Sequence, residues 1–257
     1  MLPHADGYWL TADNAAAAAR RHAEVRDWLR DHGLGVTTIG LDIEMPHDDQ
    51  AELVHRTGPA LWRLWRGRRA VAVVEQAARD YASLVAQVRA DGFRVETYHF
   101  PFALDERDAD SRLFQRVLGT VDVRGDCDVL MLYRSVLPEP WGRLLVDGVG
   151  PGADAIAVGI TGGGVASLAP AFEGRLLDRT ALLQELARAR RFTPRLYVFS
   201  LEGCADQPGL LDALATAELP EIQPDAWAPA AKVGRSVLRL ALRGHHALHR
   251  VKRRILS

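Results

Sequence analysis

Apolar runs bounded by polar or glycine residues alternate along the chain with stretches whose apolar positions recur every three or four residues. The first pattern predicts strands and the second amphipathic helices. Strands are expected in "GYWLTAD" from Gly7, "VTTIGLDIE" from Val36, "FRVETYHFPF" from Phe93, "CDVLMLYRS" from Cys127, "DAIAVGITGGG" from Asp154 and "PRLYVFSLEG" from Pro194. Helices are expected over Asn14–Gly33, Ala70–Gly92, Asp105–Gly119, Pro140–Gly150, Asp178–Phe192 and Asp206–Leu219. Asp13 or Asn14 suits the first N-cap, and Gly33 the first stop. The polar and then aromatic stretch between Met45 and Arg69 is assigned no element.

Six strand–helix units argue for a parallel sheet with helical crossovers. The polar and glycine residues gather where the strands end: Asp13, Asp42 with Glu44, His99, Arg134 with Ser135, Thr161 and Glu202. A (β/α) barrel places its active site at that rim. The expected fold is therefore α/β and TIM-barrel-like, incomplete at six recognisable units. It covers residues 1–231, followed by a basic amphipathic helix over 232–257.

Composition narrows the class. Apolar residues at 48% and charged residues at 25% are the balance of an ordinary soluble domain. No apolar run is long enough to span a bilayer, and the N-terminus lacks the pattern of a secretory signal. Cys127 and Cys204 form neither a disulfide framework nor a zinc motif. A cytoplasmic protein without a cofactor is expected. The net charge of −1 is unevenly spread: residues 232–257 hold eight Lys or Arg and no acid, leaving −9 on the rest. In that tail Val237, Leu240, Ala241, Leu248, Val251 and Ile255 share one helical face, while Arg239, Arg243, His246, Arg250 and Arg253 fall largely on another. The pattern suits an anionic membrane surface or an acidic partner, or a last helix covering its own core. Without interleaved aromatics, nucleic acid is not expected.

The candidate chemistry centres on Asp42 and Glu44. Acids two apart on a strand point to one side. Close together, they push their pKa values apart, so that one keeps its proton as a general acid. The alternative is a solvated strand end. Glu202 reads as a further carboxylate, a ligand to substrate or metal, or a salt-bridge partner. His99, with Tyr98 beside it, is an acid, base or ligand, or else structural. Only one of Tyr133 and Arg134 can face a barrel axis from a strand. The glycines of "GITGGG" either cradle an anion with their backbone N–H groups or make a tight turn. Asp105–Arg107 reads as a helix start.

With Asp42-Ile43-Glu44 and the "MLY" of Met131–Tyr133 in place, the chain resembles the family-18 glycoside hydrolases, the chitinase-like barrels. The resemblance implies a retaining, substrate-assisted mechanism. Glu44 would be the acid/base, Asp42 would orient the substrate's N-acetyl group and Tyr133 would hydrogen-bond it. It also implies that the first two barrel strands are missing, because Asp42-x-Glu44 would then end strand four. The family's earlier acid is Gly40 here, and its Asp after the tyrosine is Arg134. The expected activity is hydrolysis of a glycosidic bond in a small-molecule or carbohydrate substrate. Tyr133, Glu202, His99, Tyr98, Arg134, Thr161 and Asp13 are candidate substrate contacts. Two other readings stand beside it: a metal-dependent isomerase or hydrolase using Glu44, His99 and Glu202, and an inactive barrel that binds a carbohydrate or partner.

Overall fold

The computed structural model describes residues 2–3, 6–134, 137, 141–164, 175–216, 218–223, 226 and 228–256, except for the side chains of 54, 141, 143 and 249–256. Ser135 lies outside the described residues, as do the side chains at the end of the basic tail. The chain divides into two compact units, Met1–Asp128 and Val129–Ser257.

In the first unit α1 (Ala15–Asp31) leads into β1 (Thr38–Asp42). The unassigned stretch folds as α2 (His47–His55) and α3 (Thr57–Arg66), and α4 (Val71–Ala90) returns the chain to β2 (Arg94–His99). β1 and β2 pair in parallel, with Asp42 opposite Tyr98. Next come α5 (Phe102–Ala109), α6 (Leu113–Leu118) and β3 (Cys127–Met131), whose head belongs to this unit. The Asp126 N–H donates to the Val95 carbonyl at 2.7 Å, which sets β3 beside β2.

Leu41, Ile43 and Val95 form the core of this unit with Tyr81, Leu84, Val85 and Val88 of α4. The three- and four-residue spacing of those α4 positions makes the apolar stripe that covers one face of the sheet. Beneath β2 and β3 sits a polar knot. Arg107 donates to Asp122 and to Asp128, whose other oxygen takes the Thr97 hydroxyl at 2.7 Å. Burial alone would push the Asp128 carboxyl up, but Thr97 and Arg107 hold it below its ordinary value.

In the second unit the rest of β3 pairs in parallel with β4 (Ala155–Gly159), and β4 with β5 (Leu196–Phe199). α7 (Trp141–Val149), a short 3-10 turn (Gly150–Gly152) and α8 (Arg179–Arg190) connect them. α9 (Leu201–Asp206), α10 (Leu210–Thr216) and α11 (Ala228–Leu256) follow.

The α/β class and the parallel ladder are as the sequence predicts. The strands run in chain order, β1-β2-β3-β4-β5. Five strands stand among the described residues, where six were expected, and they do not make the eight of a closed barrel. The sixth segment, "GYWLTAD", is reduced to one parallel bridge, Leu10 to Ile43. Local turns consume its neighbours: the Asp6 N–H donates to Pro3, Tyr8 has φ of 63°, and the Thr11 N–H is held by the Asn14 side chain. The helix expected over 105–119 breaks at Asp110, which has φ of 50°. Glu106 then caps α6 by accepting the Phe114 and Gln115 N–H groups at 2.8 and 3.1 Å. Burial pushes that carboxyl up to about 7.

Candidate active site

β1 alternates. Leu41, Ile43 and Met45 are buried on one side, and Gly40, Asp42 and Glu44 lie on the other. Both acids sit on backbone held from two directions. The Leu10 N–H donates to the Asp42 carbonyl at 3.2 Å, and the Glu44 N–H to the Leu10 carbonyl at 3.1 Å. On the opposite flank the Ile43 N–H donates to the Tyr98 carbonyl at 3.2 Å. The bridge at Leu10 therefore keeps Glu44 extended two residues past the end of β1 proper.

Burial pushes the Asp42 carboxyl up to about 6. Glu44 is held well above the ordinary glutamate value, first by burial and then by the Asp42 charge. Gln50 of α2 opposes this slightly by donating to Glu44 Oε2 at 3.1 Å. Two carboxyls so placed favour one proton held between them, because each charge raises the cost of the other.

β2 adds two groups to the same side. The Tyr98 hydroxyl donates to Glu96 Oε2 at 3.1 Å. The Tyr98 ring lies over Gly40, where a Cβ would meet it at 3.1 Å. An acid at position 40, as the family-18 pattern would have it, thus competes with that ring for space. Glu96 and Gln50 were not among the sequence candidates. The Glu96–Thr97–Tyr98 alternation could have pointed to Glu96 once the register was known. Gln50 had no signal, because α2 itself was not read.

The other candidates have partners of their own. His99 faces away from Asp42 and is buried, its Nε2 2.8 Å from the Val123 carbonyl. Burial, aided by Arg107, lowers its pKa, so the ring is neutral and structural. Asp13 is gripped by the Arg69 guanidinium. In the second unit Tyr133 stacks on Phe199 with centroids 5.6 Å apart, against the bare Gly159. Arg134 pairs with the buried Glu185 at 3.0 Å. The Thr161 hydroxyl donates to the Ser200 carbonyl and accepts the Ser200 N–H, stapling the ends of β4 and β5. Glu202 was expected at a strand end. It lies instead on the exposed first turn of α9, because β5 stops at Phe199 and Ser200 caps α9 by accepting the Gly203 N–H at 3.1 Å. Its own N–H and the Ser200 hydroxyl lower its pKa.

Gly162, Gly163 and Gly164 all have positive φ, and a Cβ on Gly163 would come within 2.6 Å of Ser200 Oγ. Close packing against Phe199, Ser200 and the start of α9 accounts for these glycines. Among the described residues, no group of three or more His, Cys, Asp or Glu is arranged to hold a metal ion. In particular, His99 is on the face of the sheet opposite Glu44.

Comparison with protein-family models, curated proteins and solved structures finds no match to this chain. The likeness to family-18 hydrolases therefore stands on the residues alone.

Proposed function

We propose that the chain is a barrel-type α/β hydrolase acting on glycosidic bonds, with Glu44 as general acid/base and Asp42 as its partner. The observation that carries this reading is the Asp42–Glu44 pair: two half-buried carboxyls on one side of β1, both held above their ordinary values. Such a pair is poised to give a proton to a leaving oxygen at a pH where its neighbour is charged. In the substrate-assisted form, the Glu44 carboxyl protonates the glycosidic oxygen as the bond from that oxygen to C1 breaks. The substrate's own amide oxygen attacks C1, and the Asp42 carboxylate accepts a hydrogen bond from the amide N–H. The Glu44 carboxylate then takes a proton from the water that attacks C1 as the bond from C1 to the amide oxygen breaks, which restores the amide and both carboxyl groups. Tyr98 and Glu96 flank the pair as polar contacts for sugar hydroxyls.

Cys127 and Cys204 are buried as thiols and not as a disulfide, which favours a reducing compartment, and we place this activity in the cytoplasm. A second reading, binding without turnover, is favoured by Gly40, whose space the Tyr98 ring fills.

The test is a screen of aryl glycosides, N-acetylglucosaminides included, with the wild type and with Glu44→Gln. The variant should lose turnover and melt no lower than the wild type. Equal turnover in both would overturn the assignment of Glu44. Sugar binding by a wild type that turns nothing over would favour the second reading.

A further inference from the structure

α11 is 29 residues long, about 44 Å at helical rise. One of its faces is used within the second unit, where it packs on α7. Arg235 donates to the Gly148 carbonyl at 2.6 Å, and a Cβ on Gly148 would touch Ala231 at 3.3 Å. Ala228 and Leu242 are buried on that side.

The opposite face is apolar and open. Val233, Val237, Leu240 and Leu248 are 63, 61, 69 and 73% exposed. They recur with Gly244 at three- and four-residue steps, which aligns them in one stripe. By the same pitch Lys232, Arg239 and Arg243 fall along one border of that stripe. Beyond them the helical backbone continues to Leu256, through a segment whose sequence adds Arg250, Lys252, Arg253 and Arg254. From residue 232 onward the helix carries no acid at all.

We propose that α11 lies flat on an anionic lipid surface, with Val233, Val237, Leu240 and Leu248 in the acyl boundary and the cation row among the headgroups. Among the described residues, no helix is long and apolar enough to cross a membrane. An apolar stripe beside a cation row is what an interfacial helix presents. The charge selects this occupant. A second copy of the chain docking by the same stripe would bring two cation-rich, acid-free helices together. Anionic headgroups satisfy both features at once.

The test is co-sedimentation of the full chain with vesicles of phosphatidylglycerol and phosphatidylcholine, or of phosphatidylcholine alone. The wild type should bind the anionic vesicles, and binding should weaken with salt. V237E/L240E replaces two side chains of the open face and leaves the α7 contact intact. It should lose partitioning on the order of 100-fold, with an unchanged circular dichroism melt. Equal partitioning of wild type and a folded variant would overturn the proposal, as would a wild type that ignores anionic vesicles. A wild-type dimer that V237E/L240E makes monomeric would also overturn it, because the stripe would then be a self-association surface.

Discussion

The ring of Tyr98 occupies the space beside Gly40: a Cβ on that glycine would sit 3.1 Å from the ring's Cε2. The ring is not free to yield, because its hydroxyl is bonded to Glu96. Gly40→Ala should therefore destabilise the fold by about 1 kcal/mol or more through overpacking. The same change in a Tyr98→Leu background should cost little. A double-mutant cycle by urea unfolding measures the coupling.

The acid pair makes a signed prediction for stability. Asp42 and Glu44 have folded pKa values above those of an unfolded chain. The native state thus keeps protons that the unfolded state releases. Their contribution is fully present below about pH 4 and is lost as pH rises through about 6 and beyond. Asp42→Asn should flatten that part of the profile and raise stability near neutrality. Urea midpoints across the pH series check it.

The same two raised carboxyls shape the expected activity. Turnover should rise as Asp42 ionises near pH 6 and fall at higher pH as Glu44 loses its proton. A pH profile of kcat/KM should be bell-shaped, its two limbs belonging to the pair as a whole.

Arg134 was expected to touch substrate, and its pairing with the buried Glu185 gives it a different task. Removing it leaves a buried carboxylate with Arg188 3.9 Å away. Arg134→Met should cost about 3 kcal/mol of stability. Thermal melts check this, and KM measured below the melting transition should not move.

The elements legible from the sequence are those whose pattern is local. Val95, Thr97 and His99 alternate with Glu96 and Tyr98, and the apolar stripe of α4 recurs at helical steps. Asp42 and Glu44 share a side by strand geometry alone. What could not be read depends on partners distant in sequence. The length of the "GYWLTAD" strand is decided by turns around Pro3 and Asn14. The end of β5 is set by the Ser200 cap, which moved Glu202 onto a helix. His99 looked like chemistry until the Val123 carbonyl and the Arg107 knot claimed its side of β2. Glu96 joined the acid pair only through the register that sets Asp42 opposite Tyr98.

The most direct measurement of the central claim is the leaving-group dependence of Glu44→Gln. A general acid matters most when the departing oxygen is basic. The variant's turnover should fall 100-fold or more, on the order of what general acid catalysis supplies, for alkyl or sugar leaving groups. The loss should be far smaller for dinitrophenyl glycosides, which need no proton. An equal loss for both classes, or none for either, would contradict it.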